Sequence, residues 1–536
     1  MSPMSNTITL SSGVAGETPV AMDPTQTRRL LLGLGLATWM EFYTSDSVNL
    51  VLPDMAGTFG VTQDQASWIL TTYSSTLFLS VPLSIWMARY FGYLRYILGS
   101  SIVFVVASIG CSLATEFQEM LAWRAVQGFS GAALTMWWRA SIYMLLPKPQ
   151  RSKSLMRISV MLYLASAVGL LFSGWVTDNV NWRWIFVPNI VFLIAAIGLL
   201  LRNFPKLGAR SPPRGERADK AGIALLGVAL VSLQVLLSRG EISDWLGSPL
   251  IQGLAWICGI ALVTFVLRES SAHKDIRLVR LELLRDRNVL ASVLLGIFAG
   301  VILSGSIYAL PEYLRHVDPR ELDATHTGQI MCVYAFTAAL IRPVVTKSMG
   351  LFGQRKVLTF ALAMLIISML VFARLITTGT ALAYFAIPLI LYAFCLAPLL
   401  SAVGGGTIAR VAQADQLDAV SIYMTFRQFG ASLGVTLVSV ILDRRESLHS
   451  TRLFDHLPAG GAQVAHWIGT TAHAIGQRVG YSSSRAHEIA VALLNETGAR
   501  QAATLAYADA FVCMAAVGLM ALCLVPIMSP TPVVKQ

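Results

Sequence analysis

Over 536 residues the chain is 55% hydrophobic and 13% charged, with a positive mean hydropathy of +0.63. That balance excludes a soluble globular protein, and the length excludes a one- or two-span anchor, so the fold class is an all-α polytopic membrane protein. The formal charge of +11 does not point to nucleic acid, because the basic residues lie between apolar runs rather than on one patch, and all six cysteines fall in apolar runs, which implies no disulfide framework.

Residues 1–28 are polar and rich in Ser, Thr, Gly and Pro, without the basic-then-apolar pattern of a signal peptide, and are expected to form a disordered cytoplasmic tail. Fourteen apolar runs of bilayer length follow, near 29–52, 66–88, 96–114, 120–144, 155–177, 183–202, 220–238, 250–268, 288–310, 328–347, 357–376, 381–403, 420–441 and 503–528. An even count puts both ends on one side. With that side cytoplasmic, about 25 of the 40 Lys and Arg lie inside, against about 11 outside, as the positive-inside rule requires.

The first run, LLLGLGLATWMEFYTSDSVNLVL, carries Glu41 and Asp46 within its apolar sequence. A charge at mid-depth costs about 2.5 to 3.5 kcal/mol on insertion scales, so each carboxylate needs a partner, a water-filled cavity or a proton. Farther on, Gly92 with Arg95 after the second run and Gly353 with Arg355 after the tenth form matching tight turns followed by cations, expected as cytoplasmic gating loops. Small residues recur at four-residue spacing: Ala165, Gly169 and Ser173 with Gly174 in the fifth run, Gly430 with Gly434 in the thirteenth, both faces suited to close helix packing. These equivalences predict two six-helix halves, 29–202 and 288–528, with a linker of two inserted helices at 203–287 and a short tail at 529–536. Repeated halves around a mid-membrane site are a transporter signature.

Several stretches resemble the major facilitator superfamily, in particular its fourteen-helix drug:proton antiporters of the EmrB/QacA type. The most specific is LAWRAVQGFSGAA, with Arg124, Gln127 and Gly128 in the fourth-helix pattern; others are NWRWIF from Asn181, LLSRGEISDW from Leu236, TFRQFGASLG from Thr425, RRESLH from Arg444 and YADAF from Tyr507. The resemblance implies proton-coupled export of amphipathic toxic compounds across an inner membrane by alternating access, with no cofactor beyond the proton gradient. It also implies a periplasmic membrane-fusion adaptor and an outer-membrane channel as partners in a Gram-negative cell. The sequence departs from the family in three places. Thr44 stands where the first helix usually has Asp, Ile85 and Arg89 replace a Gly and the acid of the loop after the second helix, and the fifth-helix motif lacks its Pro.

Within that frame Glu41 and Asp46 are the candidates for proton coupling, since burial raises a carboxyl's pKa and a nearby cation lowers it. Glu41 lies about 60° from position 44 on a helical wheel and Asp46 about 160°, so Glu41 inherits the acidic face. Asp46 lies at the depth of Arg124, and an ion pair between them is expected; Gln127 and Arg427 complete the gating set. Arg139 and Arg342, near inner ends, are positioned to snorkel. Trp39, Tyr43, Trp137, Trp138, Tyr308 and Tyr392 are candidates to line a substrate cavity for a planar or lipophilic small molecule.

The stretch 443–502 reads as a long periplasmic loop with an amphipathic run at Ala462 to Val479. Its histidines recur at spacings of seven, two helical turns apart and too far for one metal ion, so no metal site is expected. No Walker loop, HExxH or GxSxG is present, so the chain is not read as an enzyme. A dedicated exporter of one metabolite, such as a siderophore or organic anion, remains the alternative to multidrug efflux.

Overall fold

The computed structural model describes residues 23–146, 148–204, 219–271, 278–377, 379–408, 411, 415–455 and 461–528. Nearly all of them are helical, as lipid requires, because a spanning backbone must satisfy its N–H and C=O groups internally. The long helices are α1 (Pro24–Leu50), α2 (Trp68–Phe91), α3 (Tyr93–Leu113), α4 (Phe117–Leu145) and α5 (Lys148–Asn179), then α6 (Val187–Asn203), α7 (Lys220–Arg239), α8 (Pro249–Ser271), α9 (Arg287–Glu312) and α10 (Ala324–Phe352). The remainder are α11 (Gln354–Leu375), α12 (Ala386–Ile408), α13 (Gln416–Asp455), α14 (Ala462–Val479) and α15 (Ser483–Leu524).

Among the described residues twelve helices are long and apolar enough to cross a membrane, and α1 and α4 are not among them although they run for 27 and 29 residues. The reason is chemical. These two carry Glu41, Asp46, Arg124, Gln127 and Arg139. The structure surrounds them with protein: α1 packs on α4, α5 and α6, while α4 packs on α2 and α3. At the other extreme, α8 packs on α7 and leaves Trp256, Ile260 and Leu267 exposed at 72%, 64% and 63%, a lipid-facing helix.

Two halves are built on one plan. The pairs α1–α5, α1–α6, α2–α4, α3–α4 and α3–α6 recur as α9–α13, α9–α15, α10–α12, α11–α12 and α11–α15. Between the halves, α5 meets α10 and its mirror α13 meets α2. The inserted pair leans on that second seam through α7, which touches both α2 and α13.

Gly92 and Gly353 make the equivalent turns α2–α3 and α10–α11 at φ +87° and +82°, a region where a side chain is strained. Gly430 and Gly434 let α13 lie against α9, where a β-carbon would fall 2.1 Å from the Ile297 carbonyl oxygen and 2.2 Å from that of Val301. In the first half Gly169 takes the corresponding place on α5, facing the ring of Tyr43 on α1. Gly174 does something else. It brings α5 onto α10 of the opposite half, with Ala324 O 2.4 Å from a β-carbon position.

Two expectations from sequence change. Helix α1 begins at Pro24, five residues inside the stretch read as a disordered tail. The stretch read as a long loop is largely helical: α13 continues to Asp455, α14 covers the amphipathic run, and α15 starts at Ser483. Extending a helix beyond the bilayer keeps its backbone paired without a new core. Accordingly α14 buries no residue and rests on α15. This projection marks the distal end of the bundle; Gly92 and Gly353 lie at the basal end.

Candidate functional site

Glu41 sits in the middle of α1 and is 5% exposed. Its carboxylate accepts a hydrogen bond from the Tyr73 hydroxyl of α2 at 3.3 Å. The ring of Tyr73 in turn carries the Arg124 guanidinium on its face, 4.1 Å from the centroid. Arg124, 1% exposed, donates to Gln127 Oε1 at 2.6 Å and to the Ile69 carbonyl at 3.4 Å. Gln127 Nε2 donates to Ser108 at 2.9 Å, Asn189 Nδ2 reaches the same hydroxyl at 3.4 Å, and Thr44 lies 2.9 Å from Asn189 Oδ1. One buried polar chain therefore runs from Glu41 through α2, α4, α3 and α6 and back to α1. Such a chain rigidifies a core when every member is satisfied.

Arg124 and Asp46 do not form the expected ion pair. Asp46 turns toward α5, where it accepts from the Ser166 hydroxyl, and its field reaches Tyr334 of α10 and Tyr392 of α12. Arg124 is instead satisfied by a π face, an amide and a carbonyl. The physical reason is angular: five residues of helix separate the two acids by about 140°. Glu41 thus faces α2 and α4, while Asp46 faces the seam between the halves. They still lie close enough for their charges to interact. Thr44, at the family's acidic position, points to α6.

From the second half, Arg427 of α13 acts electrostatically on Glu41, and its Nε has no hydrogen-bond partner. Arg342 does not snorkel. It is 5% exposed inside the protein, with Nε and Nη1 unpartnered. Arg139 lies over the Trp138 ring at 4.6 Å and reaches Met424 Sδ of α13 at 3.5 Å.

The aromatic candidates divide. Trp39 stacks on Phe192 of α6 at 6.0 Å, Tyr43 donates to Ile185 O at 2.9 Å, and Trp137 packs on Tyr93 and Tyr96 of α3, so all three serve contacts within the first half. Trp138 is buried in the same first-half cluster as Trp137, Tyr392 is buried with Tyr334 edge-on at 5.8 Å, and Tyr308 packs on the main core. Tyr73, Ser108, Asn189, Ser166 and Tyr334 were missed by reading charges alone. For Asn189, Ser166 and Tyr334 the signal was present as single polar residues inside apolar runs, whereas Tyr73 sits within the polar stretch Thr71 to Thr76.

Ion pairs tie the halves together at both ends. At the distal end Arg315, after α9, donates to Asp54 at 2.7 Å and to Leu50 O at 2.8 Å. At the basal end Nη2 of Arg89 on α2 donates to both carboxylate oxygens of Asp418 on α13 at 3.0 and 3.1 Å, and Arg280 pairs with both Asp418 and Asp415. Arg95, expected in a gating loop, is exposed at this end and Arg355 is half-buried.

With this geometry in hand, the sequence matches the Major Facilitator Superfamily over residues 34–435. The chain belongs to that superfamily. It is an integral membrane protein of a transporter family rather than of an enzyme family. Its similar relatives in the superfamily include "Multidrug export protein EmrB" of Haemophilus influenzae, 25% identical over 80% of this chain and 83% of that one. The EmrB of Escherichia coli K12 is 26% identical over 79% and 82%. The "Fatty acid resistance protein FarB" of Neisseria gonorrhoeae is 26% identical over 80% and 83%. Among solved structures, a POT family transporter in complex with 5-aminolevulinic acid superposes with TM-score 0.61 at 12% identity, covering 93% of this chain and 95% of that one, which shows the fold alone.

Proposed function

We propose that the protein is a secondary active transporter that exports amphipathic or hydrophobic toxic compounds across the inner membrane in exchange for protons. The observation that carries this reading is Glu41: a buried carboxylate at mid-span, bonded to Tyr73 of its own half and in the field of Arg427 from the other. A group so placed changes its proton affinity when the halves move, because Arg427 rides on α13 while Tyr73 rides on α2. Proton binding and half-to-half motion are then one equilibrium, and each biases the other.

In this reading residues 29–202 and 288–528 rock against each other, with 203–287 following, and Arg124 and Gln127 hold Tyr73 on the acid. Gly92, Arg95, Gly353 and Arg355 belong to the basal gate. The EmrB relatives, named multidrug export proteins, support export of several drugs. A periplasmic adaptor and an outer-membrane channel, meeting the α13–α15 projection, follow from the same resemblance, as do cytoplasmic termini.

The test is transport in proteoliposomes under an imposed pH gradient, with a panel of lipophilic drugs and dyes. Wild type is expected to accumulate several unrelated compounds, and Glu41→Gln to lose gradient-driven transport while retaining substrate exchange. Intact gradient-driven transport in well-expressed Glu41→Gln and Asp46→Asn would sink the carboxylate mechanism.

A further inference from the structure

Every buried charge described so far has a partner except on one surface. Arg342 of α10 lies 95% covered by protein, yet its Nε and Nη1 donate to nothing among the described residues. On α13, Tyr423 is 1% exposed with its hydroxyl unpartnered, and Arg427 one turn along has an unpartnered Nε. Tyr163 of α5 connects them. Its hydroxyl feels Arg342, Arg139 and Tyr423, while Tyr423 feels Arg427 and Arg139. Residues from α4, α5, α10 and α13, and so from both halves, thereby converge on one electrostatic neighbourhood of cations and phenols.

An arginine cannot shed its proton to escape burial, so its charge must be met. Lipid does not meet it, since Arg342 is enclosed by protein. The acids Glu41 and Asp46 do not meet it either, because their hydrogen bonds go to Tyr73 and Ser166. Guanidinium donors in a fixed fork match a carboxylate, and a phenol O–H adds a further donor to an anion. The apolar surroundings match the rest of an amphiphile: Trp138 lies under Arg139, and Met424 follows Tyr423.

We infer that Arg342, Arg427 and Tyr423, with Arg139 beside them, form an anion subsite that binds the carboxylate of an amphipathic organic acid carried as cargo. This rests on the transport reading above and narrows its substrate class to amphiphiles bearing one acidic group. The acid head sits between the halves on the cations, and its apolar body lies along Trp138 and the neighbouring core. Protonation falls on Glu41 and the cargo's charge on the arginines, and Arg427, which acts electrostatically on Glu41, links the two events.

The experiment measures equilibrium binding to full-length protein in nanodiscs, without a proton gradient, with protein-free nanodiscs as the blank. The probes are naphthalene-2-carboxylate and decanoate, each against its uncharged carboxamide. Wild type is expected to bind at least one acid about tenfold or more tightly than its amide. Arg342→Gln is expected to abolish that preference by weakening acid binding at least about tenfold more than amide binding, and Arg342→Lys to keep part of it. Arg427→Gln provides a second reading should Arg342→Gln unfold, which a thermal melt reports. Equal binding of acid and amide, binding of neither acid, or an undiminished acid preference in both folded Gln variants overturns the subsite. The two readings fail separately: Glu41→Gln tests gradient-driven transport, whereas the acid preference is read with no gradient at all.

Discussion

Helices α1 and α9 occupy equivalent places in the two halves, as do α4 and α12, yet they are loaded differently. Helix α1 carries Glu41 and Asp46, and α4 carries Arg124 and Gln127, all tied into the polar chain. Helix α9 carries in the same stretch Gly296, Gly300 and Gly305, which seat α13 and α15 against it. The second half contributes its charge at the seam instead, as Arg342 and Arg427 with unpartnered donors. A duplicated scaffold therefore separates two tasks. The first half holds a satisfied network around a buried acid, and the second packs backbone on backbone and carries cations with unpartnered donors at the seam.

The sharpest way to break this comparison is Glu41→Gln, which preserves shape and hydrogen bonding but removes the proposed proton site. Gradient-driven transport is expected to fall at least about 100-fold, corresponding to about 2.7 kcal/mol, with substrate exchange retained. If exchange falls equally, Glu41 is structural and the division of labour fails.

Next in size are the paired glycines. In Gly430→Ala the new methyl group meets the Ile297 backbone, which cannot swing away, and overpacking of this kind costs about 1 to 3 kcal/mol. In Gly169→Ala it meets one edge of the Tyr43 ring at 2.9 Å rather than backbone, so the loss should be smaller, about 1 kcal/mol, set by how far that hydrogen-bonded ring can tilt. Thermal melts of the two variants compare the halves directly. Equal destabilisation would mean that the seats are alike after all.

Much of this arrangement was legible in the sequence. Apolar runs gave the helices, the Gly turns and small-residue faces gave the repeat, and a charge in an apolar run gave Glu41 and Arg124. What was not legible depended on direction around a helix. The pairing of Asp46 with Arg124 looked sound by depth, and only the facing of α1 toward α2 and α4 on one side and α5 on the other separates them. Trp39, Tyr43 and Trp137 likewise have the composition of a cavity wall and the orientation of packing residues. Tyr73 escaped notice because a phenol in a helix carries no charge to betray it.

Smaller effects belong to the basal seam, where Arg89 stands in place of the family's acid and Asp418 faces it. Arg89→Glu places like charges together and should weaken the closed basal state by about 1 to 2 kcal/mol, read as faster labelling of a basal cysteine probe. Exchanging the pair, with Asp418→Arg added, should restore part of the loss. The recovery is incomplete because Arg280 also uses Asp418. No recovery would mean that this contact does not act as a gate.

The smallest expected effect lies outside both halves, where Asp219 caps α7. Two nitrogens of Arg268 donate to it at 2.8 and 2.9 Å and Gly222 N at 3.0 Å, and these donors, Arg268 first, hold its carboxyl below the usual range against the opposing effect of burial. A depressed carboxyl stabilises the fold fully above its unfolded pKa near 4, and the gain is lost as pH falls through the lower folded value. Because Arg268 is half exposed the gain is modest, about 0.5 to 1 kcal/mol. Asp219→Asn keeps the cap but not the ion pair, so it should lower the melting temperature slightly at pH 7 and not at all once wild-type Asp219 is protonated. A deficit that persists unchanged into acid would assign the loss to packing of the α7–α8 pair rather than to charge.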